Sequence, residues 1–170
     1  MSKNFIYGIA SVKLGTGSSA VTLGYIEEGS WDWGGEKPEV VDVMAEQVPD
    51  APVLSLASKN GMVSPTFNLI QLNYEQMHKV LGGTLVTTGT SPNQTVTGWK
   101  APTSLIEVKD TITIDFVSGQ TMTIPNGRIM ANLGGKLTLK EVSKIECQLK
   151  VLKPEGGGSP YEINDTPTAG

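Results

Sequence analysis

The chain has 170 residues, 38% of them hydrophobic and 18% charged, with a formal net charge of -4. This length and apolar content suit one domain with its own core and argue against global disorder. The acidic balance gives no basic face for tight nucleic-acid binding, and the single Cys147 excludes an internal disulfide and a multi-cysteine metal site. No run approaches the roughly 18 apolar residues of a membrane-spanning helix. Residues 1–4 lead into a mixed strand, unlike a signal-peptide core, so the expectation is a soluble protein made in a reducing cytoplasm.

Twenty glycines and ten prolines predict many turns between short strands. Residues 5–14 and 20–28 read as a hairpin joined by Gly15-Thr16-Gly17-Ser18-Ser19. That loop lacks the lysine and the following helix of a phosphate-binding loop. Residues 30–38 are irregular and hold Trp31, Trp33, Gly34 and Gly35. Residues 39–48 resemble a strand with poor alternation. Val41, Val43 and Ala45 share a face with Glu39 and Gln47, while Val40, Met44 and Val48 share the other with Asp42 and Glu46. Such a strand is awkward in an isolated monomer. Asn60-Gly61 predicts a hairpin turn between strands at 53–58 and 62–72, with Pro65 suited to an edge.

Residues 67–85 read as strand, helix, strand. Asn73 is the expected N-cap, with Gln76 three residues on as in a capping box. Tyr74, Met77, Val80 and Leu81 form one apolar stripe, and Gly82-Gly83 ends a helix at about 73–82. Strands at 84–88 and 95–101 follow, with Trp99 expected in the core. The C-terminal half reads as a meander: strands at 104–108 and 110–117, a turn at Ser118-Gly119, a strand at 120–124, a turn at Pro125-Asn126-Gly127, and strands at 128–133 and 136–142. In the last strand Ile145, Cys147, Leu149 and Val151 face inward and Lys144, Glu146, Gln148 and Lys150 outward. Residues 154–170 lack periodicity and read as a flexible tail.

The expected fold is mainly β: an antiparallel β-sandwich or barrel with one short flanking α-helix and a long extended loop or arm at about 30–61. Residues 1–153 form the single domain.

No motif supports catalysis, and no cofactor or metal is expected. His78 lies beside the apolar helix stripe, and no serine sits in a nucleophile elbow. Cys147 alternates with Ile145 and Leu149 as a core residue would. The patterns Asn93-Gln94-Thr95 and Asn164-Asp165-Thr166 match glycosylation acceptors but lack a secretion signal.

Two features point to assembly. Residues 27–50 carry eight acidic side chains, including Asp42 and Glu46, against Lys37 alone. Residues 136–153 carry five lysines, including Lys144 and Lys150, against Glu141 and Glu146. A solvated face explains each run singly. Alternatively, the acidic arm of one molecule meets the basic region of another, a contact between unlike patches that propagates head to tail. Trp31 and Trp33, in a glycine-flanked loop, are either interface anchors or lids folded back over the core.

In this order, the hairpin ending in Gly24-Tyr25-Ile26-Glu27-Glu28-Gly29, the irregular arm, the strand Thr66-Phe67-Asn68-Leu69-Ile70-Gln71-Leu72, the helix and Val80-Leu81-Gly82-Gly83-Thr84 resemble the tail tube proteins of long-tailed bacteriophages. Those are similar in fold to the tube proteins of contractile injection systems. The resemblance covers about residues 20–85 and rests on order and pattern. It implies a homo-oligomer: hexameric rings stacked into a hollow tube, with the arm reaching neighbouring subunits. It also implies no catalytic residues, other tail components as partners, and localisation in the virion tail after synthesis in the host cytoplasm. DNA would be passing cargo, and an acidic lumen would keep phosphates from sticking. The contact candidates are Trp31, Trp33, Asp42, Glu46, Lys144 and Lys150. The competing readings are another virion β protein, such as a tail terminator or capsid decoration protein, a ligand- or carbohydrate-binding β-sandwich using Trp31 and Trp33, and a hydrolase with scattered carboxylates.

Overall fold

The computed structural model describes residues 4–166. In chain order it contains β1 (Ile9–Leu14), a 3-10 turn (Gly17–Ser19), β2 (Val21–Thr22), β3 (Glu39–Val43), β4 (Leu54–Lys59), β5 (Thr66–Leu69), α1 (Tyr74–Leu81), β6 (Thr84–Thr88), β7 (Thr95–Lys100), β8 (Val108–Phe116), β9 (Gln120–Gly134), β10 (Lys144–Val151) and β11 (Glu162–Asp165). The fold is mainly β, with one short helix and antiparallel pairing throughout.

The main sheet runs β2-β1-β8-β9-β10-β5, with β11 also on β9. Strand alternation builds its core. Val12 and Leu14, Ile112, Ile114 and Phe116, Met122 and Ile124, Ile145, Cys147 and Leu149, and Phe67 and Leu69 are all buried on the same inner face. The segment after β2 joins the two ends of this sheet. The Leu23 amide donates to the Val12 carbonyl at 2.8 Å beside β1, and Glu27 donates to Asn68 at 2.9 Å beside β5. Ile26 bridges Leu69. The sheet therefore curls toward a barrel, which leaves fewer open edges than a flat sheet would.

The helix follows its sequence signals. The Asn73 side chain accepts the Gln76 amide at 2.7 Å, and Gly82 closes the helix at φ 77°. Val80 is buried, and Met77 and Leu81 pack against the core; Tyr74, expected on the same stripe, is exposed. The Gln76 side chain does not complete a capping box. It accepts from the Gly24 amide and donates to the Thr22 carbonyl, pinning the β2 turn to the helix. Trp99, expected in the core, is half-buried, and its Nε1 donates to Gly82 O at 2.8 Å.

Several local expectations fail for identifiable reasons. Pro125-Asn126-Gly127 is not a turn, and β9 runs through it. Pairing passes from Asp110↔Gly127 to Ile112↔Ile124, so Pro125 and Asn126 together oppose Thr111. This β-bulge bends the strand without ending it and spares proline a ladder hydrogen bond. Asn60-Gly61 does not join a hairpin. β4 pairs back onto β3 and β5 pairs with β10, because each apolar strand finds a better partner than its sequence neighbour. Residues 104–107 and 136–142, expected as strands, are irregular. In the second, the Thr138 hydroxyl accepts from the Lys140 and Glu141 amides at 3.1 and 3.0 Å, a local bond that competes with a ladder. The stretch read as a tail includes β11, paired on β9 from Glu162↔Thr123 to Asp165↔Gln120. Residues 167–170 of that stretch lie outside the described residues.

Truncating Leu69, which is fully buried where the barrel edge meets its closing segment, should cost about 2–5 kcal/mol in urea unfolding. Asn73→Ala should cost about 1 kcal/mol through loss of the cap. Equal small effects of the two substitutions would contradict this packing.

Candidate assembly surface

Residues 32–66 form a two-stranded arm that grows out of the barrel edge. Asp32 and Thr66 exchange amide-carbonyl bonds at 2.9 Å in both directions, and Glu36 and Met62 do so at 3.0 and 2.9 Å. Beyond them β3 and β4 pair from Glu39↔Lys59 to Val43↔Leu54. Gly34 and Gly35 permit this path. Both have positive φ, and a Cβ at either would strike the backbone of Ser64 or Met62. Glu36 and Lys59 add an ion pair at 3.3 Å.

The β3–β4 hairpin has one apolar face. Register places Val41 opposite Leu56 and Val43 opposite Leu54, and these four side chains are 41–53% exposed. Asp42 and Ser55 lie on the other face with Val40 and Ala57. The pairing thus resolves the two-sided pattern read in residues 39–48: one side is a contiguous aliphatic patch and the other is mixed. An isolated two-stranded hairpin is marginal in water, and exposed aliphatic patches are found at interaction surfaces, ligand grooves and aggregation-prone sites. Glu46 lies at the exposed hairpin tip, next to the Ala45↔Val48 bridge. Leu54 and Leu56 were not singled out in the sequence, although their alternation with Ser55 and Ala57 carried the signal.

Trp31 and Trp33 fold back onto the barrel. Trp31 stacks on Phe67 with ring centroids 5.6 Å apart, and Trp33 meets Trp31 edge-on at 6.0 Å and Phe116 at 6.0 Å. Trp31 therefore covers the core, while Trp33 remains part-exposed. Beside them lies a concavity of about 570 Å³, lined in part by Ile6, Tyr7, Glu27, Glu28 and both tryptophans. The Trp31 indole N–H is buried and without a hydrogen-bond partner among the described residues.

The two candidate lysines differ. Lys144 pairs within the chain with Glu27, and Asn68 donates to the same carboxylate at 2.8 Å. Hydrogen bonds from Lys144 and then Asn68 hold the Glu27 carboxyl below its ordinary range. Lys150 is exposed and has no ion-pair partner among the described residues. It stands opposite Arg128, which stands opposite Lys109. Like charges so aligned repel. Glu107 offsets Arg128 and Lys109, at 3.1 Å and 3.0 Å respectively, and leaves Lys150 uncompensated among the described residues. This cationic row was illegible in the sequence, since its members lie on three strands.

Asp115 anchors the outer face on the β1 side. It lies 2.8 Å from Ser11 Oγ, 2.9 Å from Thr121 Oγ1 and 2.9 Å from Lys13 Nζ. Partial burial opposes its ionisation, but these three partners prevail and hold the carboxyl below its ordinary range.

His78 is exposed on α1, and Cys147 is buried in the barrel with its thiol pushed up to about 12 by desolvation. Among the described residues no group of three or more His, Cys, Asp or Glu side chains is placed to hold a metal ion. No helix among them is long and apolar enough to cross a membrane. No protein-family model matches the chain, and neither does any curated protein.

The Cys147 thiol should resist a thiol-specific reagent at pH 8 in the folded protein and react fully in denaturant; fast native labelling would contradict its burial. Asp115→Asn should destabilise the protein at neutral pH. Because the folded carboxyl titrates below its unfolded value, the contribution is present above the ordinary carboxylate range and fades as pH falls through the folded pKa. The gap between parent and variant in unfolding free energy should therefore shrink on acidification. A gap independent of pH would contradict the role of the carboxylate charge.

Proposed function

We propose that this protein is a structural, self-assembling subunit of a phage tail tube, which forms stacked rings around a lumen for DNA. The observation that carries this reading is the β3–β4 hairpin. It leaves the barrel with an aliphatic face that the described residues leave about half exposed, at the position where the tail tube resemblance expects an arm that reaches other subunits. A barrel with a second copy against that arm satisfies both the patch and the marginal hairpin. The acidic excess of the chain fits a lumen through which DNA slides without sticking. On this reading the partners are further copies and other tail components, and the protein acts in the virion tail and not as an enzyme.

The concavity beside Trp33 supports a second reading, a ligand-binding β module. Trp31 is a poor platform for it, since its ring is committed to Phe67.

Excising Val40–Ala57 and joining the ends through an Asn-Gly turn removes the hairpin but keeps Trp31, Trp33 and the Glu36–Met62 pairing. Sedimentation should find this variant folded and monomeric at concentrations where the full chain forms large particles. Particles of unchanged size would show that the hairpin is not the joining element. Loss of glycan or small-ligand binding in Trp33→Ala, with an unchanged oligomeric state, would favour the second reading.

A further inference from the structure

The loop between β9 and β10 is built with its polar and apolar groups reversed. The Thr138 hydroxyl turns back to accept the Lys140 and Glu141 amides, and the Thr138 amide donates to the Glu141 carbonyl at 3.2 Å. Ser143 Oγ donates to the Gly134 carbonyl at 3.2 Å. The loop is thus internally bonded. Yet Leu137 is 81% exposed and Leu139 fully exposed, with Val142 exposed beside them. Scattered single apolar residues on a surface are ordinary, but three on one bonded loop form a knob.

This knob and the arm lie at opposite ends of β10. The loop enters β10 at Lys144, paired with Gly134. The base of the arm, residues 60–63, lies beside residues 151–153 at the other end. The charges are complementary. Beyond its base the arm carries Glu36, Glu39, Asp42, Glu46 and Asp50 against Lys37 and Lys59, the latter paired with Glu36, and the knob carries Lys136 and Lys140 against Glu141. An aliphatic face with acidic surroundings at one end and an aliphatic knob with basic surroundings at the other are two unlike patches. Joined between copies, they make a contact that repeats head to tail.

We propose that the 135–143 loop of one copy docks on the Val41, Val43, Leu54 and Leu56 face of the next. The proposal rests on the self-assembly reading and names the surface that receives the arm. Leu137 and Leu139 supply the buried apolar area, and Lys136 and Lys140 orient the approach toward the acidic arm. The contact should weaken with salt only in its rate and orientation, since its centre is apolar.

The test uses the full chain with single cysteines at two exposed positions, Val41→Cys and Leu139→Cys; the buried Cys147 stays in place. Under mild oxidation at assembling concentrations, an equal mixture should give at least about tenfold more disulfide-linked dimer than either variant alone, since a linkage requires Cβ atoms within about 4.5 Å. In parallel, Leu139→Asp should raise the concentration needed for assembly by about tenfold or more. Cross-links in Val41→Cys alone would place two arms together and overturn the proposal. Assembly unchanged by Leu139→Asp, without mixed cross-links, would overturn it and leave the tube reading standing. Mixed cross-links in particles that are not hollow tubes would keep the contact and overturn the tube reading. A wild-type chain that does not assemble, together with no mixed cross-links between the two cysteine variants, would overturn both.

Discussion

The packing of Phe67 and Leu69 into the barrel is the interaction on which the rest of the molecule depends. Both side chains are buried on the inner face of β5, and their strand is the point where the barrel becomes the arm. On one side β5 pairs with β10; on the other it is bridged by Ile26 and Asp32. Trp31 then stacks on Phe67 and covers this part of the core at the junction. The arm is therefore an extension of a core strand and not a loose loop. Its direction is set where its backbone bonds to residues 32–36, before the exposed hairpin begins.

That continuity explains how a hairpin with little support from its own chain can be held out at a definite angle. Its root is buried and its tip is not. Aliphatic side chains at Val41, Val43, Leu54 and Leu56 would be costly to leave in water, and the described residues of the barrel leave them about half exposed. The loop at 135–143 repeats the pattern on a smaller scale, with a polar interior and leucines outside. Both surfaces make physical sense in an assembled state. The internal pairs Lys144–Glu27 and Lys13–Asp115, by contrast, fasten outer-face residues to their own barrel.

Much of the fold was legible because its signals are local. Asn73 and Gly82 mark the ends of the helix, and the alternation of Ile145, Cys147 and Leu149 marks a half-buried strand. What was not legible depends on contacts distant in sequence. Pro125-Asn126-Gly127 carries a turn composition, and only pairing with β8 and β10 keeps it a bulge in one long strand. Asn60-Gly61 has the composition of a hairpin turn, yet residues 62–66 pair with 32–36. Glu27 and Lys144 looked like members of opposed charge runs until the fold brought them together. The arm could be outlined from its acids and its two-sided pattern. Each strand's half of the apolar face was present as alternation, but that Val41 and Val43 join Leu54 and Leu56 on one face emerges only from the register of β3 and β4.

The most direct test of the central claim is negative-stain electron microscopy of the purified full chain at high concentration over a range of salt. The account predicts rings or stacked hollow tubes with a continuous central channel. Uniform single particles of monomer size under every condition, with no ring or tube, would contradict it.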